Sequence, residues 1–297
     1  MSIIQIQRVL TQNEKRQLVE KLEEIGGSNI YKDIEETLLQ GLAQEAISNK
    51  EFLVRYLLLA AVLDQQADSE SARRTVREIY SNYGVDFFLN PEKHLPHANE
   101  VVELALKTYK PKGRVLQIKK EGITLLRVGG YMVSVHNLSL RYGSLLDYYR
   151  LFKNPRELLE KGILRETMLN GLLYEKASRL YVGWITHPLL PVRVYGEGVE
   201  KSKLPMVVDG HVAKVMARAG LLSQVRVENK KKMIIEAKRE RLKIEREVKK
   251  AKPSGDPFLA DYGAFYIGIK YCHEQKPECH KCLINTICRG NIEIRAY

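Results

Sequence analysis

The sequence predicts a mainly helical chain of two lobes, with a small β-meander inserted at about residues 113–137 and a metal-binding loop near the C-terminus. Three observations predict it. Apolar residues recur at helical spacing through most of the chain, a short central window turns rich in β-branched residues and glycine, and all four cysteines fall within one span of the last thirty residues.

At 297 residues the chain can bury a sizeable core and form two domains. Its 44% hydrophobic content suits a globular protein, and no apolar run is long enough to span a bilayer. The formal net charge of +12 favours a polyanionic partner, nucleic acid first. A lysine-rich surface of a heat-adapted protein is the plainer account. The first residues, Met1 to Arg8, lack the order of a signal peptide. Together with cysteines that serve a metal rather than disulfides, this leads to the expectation of an intracellular, cytoplasmic protein.

Residues from about Glu14 to Ile25 read as a helix through Leu18, Val19, Leu22 and Ile25, stopped by Gly26-Gly27. A second helix is expected from Asp33 to Ala46. Glu51 to Leu63 is nearly all apolar but too short to cross a membrane, so it reads as a buried core helix. Asp68 or Ser69 then caps a helix from Ala72 to Tyr80. A short helix is expected from Val101 to Thr108. Arg114–Lys119, Gly122–Val128 and Tyr131–His136 are three β-rich runs separated by Lys120-Glu121-Gly122 and Gly129-Gly130, which predicts the meander. Helices resume at Gly143–Phe152, Pro155–Lys161 and Gly171–Trp184. Asp209 precedes an apolar-periodic run (Val212, Val215, Met216, Ala219) as a good N-cap. Arg226 to Lys252 carries 12 basic and 5 acidic residues with a thin apolar stripe, and reads as one long solvated helix that could also lie beside nucleic acid.

The cysteines run Cys272-x6-Cys279-x2-Cys282-x5-Cys288. Structural zinc sites usually pair two Cys-x2-Cys knuckles or short-spaced histidines, and here there is one knuckle between wider gaps. A [4Fe-4S] cluster needs four thiolates and tolerates uneven spacing, being larger than one ion. The spacing favours the cluster; zinc and unligated thiols are the alternatives.

This spacing resembles the cluster loop of the endonuclease III and adenine-glycosylase branches of the helix-hairpin-helix DNA glycosylase superfamily. The preceding run Leu259 to Cys272 and Lys276-Pro277 resemble the same family. So does Val207-Val-Asp209-Gly-His211-Val-Ala-Lys-Val, which is similar to the helix start that bears the family's catalytic aspartate. A third similarity is the apolar helix ending in Gln65-Gln66. The similarity covers roughly residues 50–80 and 165–290. It breaks at the hairpin, where Leu190-Pro-Val-Arg-Val-Tyr-Gly196-Glu-Gly198 stands for a glycine-rich pattern that lets backbone amides approach phosphate. Ala61 stands where the adenine-specific branch has a glutamate.

The resemblance implies a helical cluster domain from residues 1–50 and 205–297, and a helical glycosylase domain from 51–204 carrying the meander. It implies a cluster held by Cys272, Cys279, Cys282 and Cys288. It implies Asp209 as the group that stabilises positive charge on the sugar as a base departs. Lys201 and Lys203 are the weaker candidates for a Schiff-base nucleophile, without which water attacks and the enzyme is monofunctional. Gln66, with Gln65 beside it, would fill the gap left by a flipped nucleotide; His211, Lys276, Lys281 and Arg289 would meet the DNA backbone. Tyr181 or Trp184 could line a base pocket, though buried aromatics are more often core. The expected partner is double-stranded DNA with a damaged or mismatched base, met by a monomer associated with the nucleoid. Two other functions fit the residues: an N-glycosidase for a modified nucleoside or RNA, and a non-catalytic nucleic-acid-binding iron–sulfur protein.

Overall fold

The computed structural model describes residues 2–111 and 119–296, and among these the chain forms thirteen helices and one two-stranded sheet. It is mainly α. It divides into two compact units, Asp33–Val199 and a discontinuous one made of Met1–Lys32 with Glu200–Tyr297. No helix among the described residues is long and apolar enough to cross a membrane.

Strand β1 (Ser2–Gln5) opens the chain and helix α1 (Gln12–Thr37) follows. Gly26-Gly27 does not end α1, and no separate helix runs from Asp33 to Ala46. Glycine is needed at position 26 because α1 lies hard against a later helix. A Cβ there would fall 2.1 Å from the Leu259 carbonyl oxygen, and one on Gly263 would fall 2.0 Å from that of Leu22. Two helices thus touch backbone to backbone through reciprocal glycines.

The unit Asp33–Val199 is built around α3 (Lys50–Asp64), preceded by the short α2 (Gln44–Ser48). Every residue of α3 from Phe52 to Leu63 is buried, as a sequence apolar at all but one position demands. It packs against α4 (Ser69–Leu89), α6 (Lys120–Tyr142) and α10 (Glu175–Thr186). Between them lie α5 (Ala98–Thr108), α7 (Leu145–Arg150), α8 (Pro155–Glu157), which runs on into a π-helical turn, and α9 (Thr167–Asn170). The one buried cation of α3 is a tie point. Arg55 bonds Glu51 at 2.5 Å, the Phe88 and Leu89 carbonyls of α4 at 3.0 and 2.8 Å, and Ser139 Oγ of α6 at 2.9 Å. Glu51 in turn accepts the first free amides of α7, from Leu145 and Leu146.

The expected meander is overturned where it can be seen. Gly122–Val128 and Tyr131–His136 both lie in α6, while the first run, Arg114–Lys119, falls almost wholly outside the described residues. The buried positions Thr124, Val128, Tyr131, Val135 and Leu138 follow a three-four spacing, so one helix face meets the core. Burial of that face outweighs the modest strand preference of Val, Ile and Thr. Gly129 and Gly130 are helical and sit in ordinary contact with Leu125 and Leu172 side chains.

In the discontinuous unit the chain resumes with a 3₁₀ turn (Lys201–Lys203), α11 (Gly210–Ala219), β2 (Gln224–Val227), α12 (Ala237–Ala251) and α13 (Pro257–Lys270). Strand β2 pairs antiparallel with β1, Ser2 opposite Val227 and Gln5 opposite Gln224. The long helix expected over 226–252 is therefore shorter; its first third is strand and turn. The core is shared by Leu18 and Leu22 of α1, Val212, Val215 and Met216 of α11, Ile244 and Val248 of α12, and Ala264 and Ile267 of α13.

The glycine contacts give a paired test. Gly263→Ala is expected to lower stability by about 1–3 kcal/mol through overpacking against backbone. Gly27→Ala, whose new methyl would meet only Leu259 Cδ1 at 3.7 Å, is expected to be neutral or stabilising. Thermal unfolding of both variants checks the expectation.

Candidate functional site: the cysteine loop and the helix it grips

Helix α11 begins at a sharply constrained turn. Val208 has φ +44°, a value that a β-branched residue rarely adopts. Its amide is held by Asp261 Oδ1 of α13 at 2.9 Å, deep in the core. Strain of this kind persists only where surrounding structure over-determines it. The next residue, Asp209, is half-buried and caps the helix: its Oδ1 accepts the Val212 amide at 3.0 Å. The cap role read from the sequence is therefore present in the fold.

The other end of α11 is a Schellman stop. Gly220, φ +89°, sits where a Cβ would fall 2.4 Å from the Arg8 carbonyl oxygen, and Leu221 N–H returns to Met216 O at 3.0 Å. Two residues before that glycine, Arg218 is 1% exposed and grips the cysteine loop. Its Nη1 lies 3.4 Å from Cys272 Sγ and 2.8 Å from the His273 carbonyl; Nη2 reaches the Glu274 carbonyl at 3.0 Å and Nε the Ile294 carbonyl at 2.6 Å. One turn earlier the buried Lys214 pairs with Glu274 at 2.8 Å. The Asn291 and Arg289 amides close on the last carbonyls of α11, those of Arg218 and Ala219.

The four cysteines line one cavity of about 80 Å³ together with Val215, Arg218, Ile267 and Ile284. None is in a disulfide. Burial pushes the Cys282 thiol up to about 11 and raises that of Cys288 as well, which disfavours the thiolate at both. The Gly290 amide points at Cys288 Sγ at 3.4 Å. Among the described residues no three His, Cys, Asp or Glu side chains are gathered around the position of a single metal ion. Four soft thiols on an apolar cavity larger than one water, with N–H donors aimed at two of the sulfurs, fit a thiolate-bound cluster by chemistry.

The remaining candidates separate clearly. Gln66 is exposed, with φ +50°, at the tip of the turn after α3. Gln65 is 8% exposed and inward. Its Nε2 donates to the Val62 and Leu172 carbonyls and its Oε1 accepts from the Tyr174 amide at 2.6 Å, so it ties two loops together and is not placed to meet DNA. Asp68 caps α4 through Ser71 N–H. Tyr181 and Trp184 are core residues, the Tyr181 hydroxyl bonding Tyr149 and the Val54 carbonyl. His211 stands edge-on to Phe265 with Nδ1 buried and unpartnered among the described residues. Lys276 is exposed, Lys281 pairs with Glu278 at 2.7 Å, and Arg289 pairs with Glu14 while its stem backs Gly220, which commits it to the fold. Lys201 and Lys203 lie on the 3₁₀ turn, Lys203 beside Glu200 at 3.7 Å. Between α10 and that turn there is no helix, so Leu190–Gly198 forms no helical hairpin.

Sequence reading missed Arg218, Lys214 and Asp261. The signal was present: two cations four apart inside an otherwise apolar helical face are buried cations, and buried cations need partners. Neither a family model nor a curated protein sequence matches this chain.

The two glutamines give opposite expectations. Gln65→Ala leaves the Tyr174 amide and two carbonyls without partners and is expected to cost about 1–3 kcal/mol. Gln66→Ala, at an exposed position, is expected to shift stability by less than about 0.5 kcal/mol. Denaturant unfolding of the pair checks this.

Proposed function

We propose that the protein is a DNA base-excision N-glycosylase of the helix-hairpin-helix type, holding a [4Fe-4S] cluster on Cys272, Cys279, Cys282 and Cys288. The observation that carries the reading is the construction of α11. One end presents Asp209 from a constrained turn, and the other, about 13 Å away at 1.5 Å per residue, supplies Arg218 and Val215 to the cysteine cavity. The loop and the carboxylate are parts of one rigid device.

In this reading the Asp209 carboxylate stabilises the oxocarbenium-like charge that develops as the base leaves, and it orients or deprotonates the attacking water. Its helix-cap bond and the Val208–Asp261 contact hold it in place before substrate arrives. Gln66 enters the duplex from its exposed turn and occupies the space of the extruded nucleotide. When bound, the cluster supplies a cross-link among four thiolates, and no step of the reaction runs through it. Lys276 adds a phosphate contact of the kind that gives affinity without sequence information. Water as the nucleophile makes the activity monofunctional, with Lys201 and Lys203 the groups to check for a lyase step. The absence of a helical hairpin at Leu190–Gly198 keeps a modified nucleoside or RNA as the second substrate class.

The test is base release from duplexes carrying deaminated, oxidised or alkylated bases, with RNA and free nucleosides alongside. Wild type is expected to release one class. Asp209→Asn, which keeps the helix cap, is expected to lose at least about 100-fold of that rate, the scale of one acid–base group. Scoring before and after hot alkali separates hydrolysis from lyase action. The purified protein is expected to be brown, and Cys282→Ser to be bleached and less stable. A colourless protein with no release from any substrate overturns the proposal.

A further inference from the structure

A second feature of the discontinuous unit lies away from α11 and the cysteines. A cavity of about 400 Å³ opens between the β1–β2 ribbon and α12, lined by Ile3, Arg226, Arg239, Lys243, Leu242 and Arg246 among others. Its charge is one-sided. Of the two lining carboxylates, Glu240 is 3% exposed and accepts the Arg226 amide, and Glu247 pairs with Lys15 at 2.5 Å. Arg239 shares Glu236, and Lys243 is tethered to the Gln224 carbonyl. The Arg226 and Arg246 guanidinium groups have no hydrogen bond or ion pair among the described residues.

The spacing along α12 is regular. Arg239, Lys243 and Arg246 stand at i, i+4 and i+7 on one face, a stripe that Lys250 continues. Seven residues at about 1.5 Å each carry the stripe over about 10 Å, long enough to meet successive phosphates of one strand, which rise about 3.4 Å each along the duplex axis. Three further exposed lysines, Lys230, Lys231 and Lys232, lie in the connection between β2 and α12.

The geometry points to a nucleic-acid backbone site in this groove, in which Arg226, Arg239, Lys243 and Arg246 receive consecutive phosphates of one strand. A membrane surface is the other polyanion that a basic helix could meet. It is disfavoured because the apolar face of α12, Ile244, Val248 and Ala251, is already spent in the core, which leaves only Leu242 and Ile3 exposed at the groove. The site is sequence-independent and stands whether or not the protein cleaves a glycosidic bond.

The test measures binding of the full-length protein to an undamaged 20-base-pair duplex and to a single strand, across a salt series. The triple variant Arg226→Ala/Arg239→Ala/Arg246→Ala is compared with a charge-matched control, Arg16→Ala/Lys21→Ala/Arg156→Ala, and with Asp209→Asn. The groove variant is expected to bind at least about 10-fold more weakly at low salt, with a log–log salt slope shallower by about two to three, near 0.9 per lost phosphate contact. The control and Asp209→Asn are expected to keep the wild-type slope, which separates this proposal from the glycosylase reading. Equal weakening by the groove and control triples would mean net charge alone drives binding, and would overturn the site. So would unchanged binding in a groove variant whose melting temperature matches wild type, or a groove variant that loses phosphatidylserine vesicle binding while keeping nucleic acid.

Discussion

The discontinuous unit depends on one buried guanidinium. Arg218 is 1% exposed, yet it satisfies three carbonyls and approaches a sulfur, from the first residues of the cysteine loop and from Ile294 beyond it. A buried cation is costly unless its bonds are complete. Here the bonds are made to backbone with little regular structure of its own: after α13 the described residues form turns, one 3₁₀ turn at Cys279–Lys281 and an isolated bridge from Arg295 to Ile234. Arg218 therefore does for the loop what a strand partner would do in a sheet. The arrangement holds only if α11 is fixed first, and the Gly220 stop, the Lys214–Glu274 pair and the α11–α13 packing fix it.

The close approach of α1 and α13 belongs to the same logic. Gly26 and Gly263 allow backbone contact that places α13 along the core, and α13 then delivers two things: Asp261 to the Val208 amide at one side and Cys272 beyond its end. A single helix thus connects the turn that presents Asp209 with the first cysteine. Any displacement of α13 would act on both. This is why the proposed function treats loop and carboxylate as one device rather than as neighbours.

Sequence reading succeeded where a residue's role is local. The core helix over 50–64 was legible because a nearly continuous apolar run, interrupted between Phe52 and Leu63 only by Arg55, has nowhere to go but inside. Asp209 as a cap, and the grouping of four cysteines, follow from short-range spacing. It failed where tertiary packing reassigns residues of ambiguous preference. Gly26-Gly27 has the composition of a stop, yet it is a contact; Gly129-Gly130 has that of a turn, yet it sits mid-helix. In the first case the deciding partner, Leu259, is distant in sequence; in the second, burial of one face of α6 decides. The two glutamines make the same point from side chains. Gln65 and Gln66 are chemically identical, and only the fold sends one inward to three backbone partners and leaves the other exposed with φ +50°.

The basic segment 226–252 shows how a charge run acquires meaning once its register is known. By composition it is a solvated face. In the fold its acidic members are mostly turned inward or paired. Glu240 is buried against the Arg226 amide, Glu245 bonds Lys249 and Glu247 bonds Lys15, while Arg239, Arg246 and Lys250 stay outward. The apolar residues at i, i+4 and i+7 (Ile244, Val248, Ala251) are consumed by the core. Sorting the charges by side turns a net excess spread over the segment into a surface of nearly one sign, laid beside a two-stranded ribbon. Such a surface raises the local concentration of phosphate backbone and weakens with salt. The nucleic-acid site proposed in this groove therefore owes nothing to Asp209 or to the cysteines.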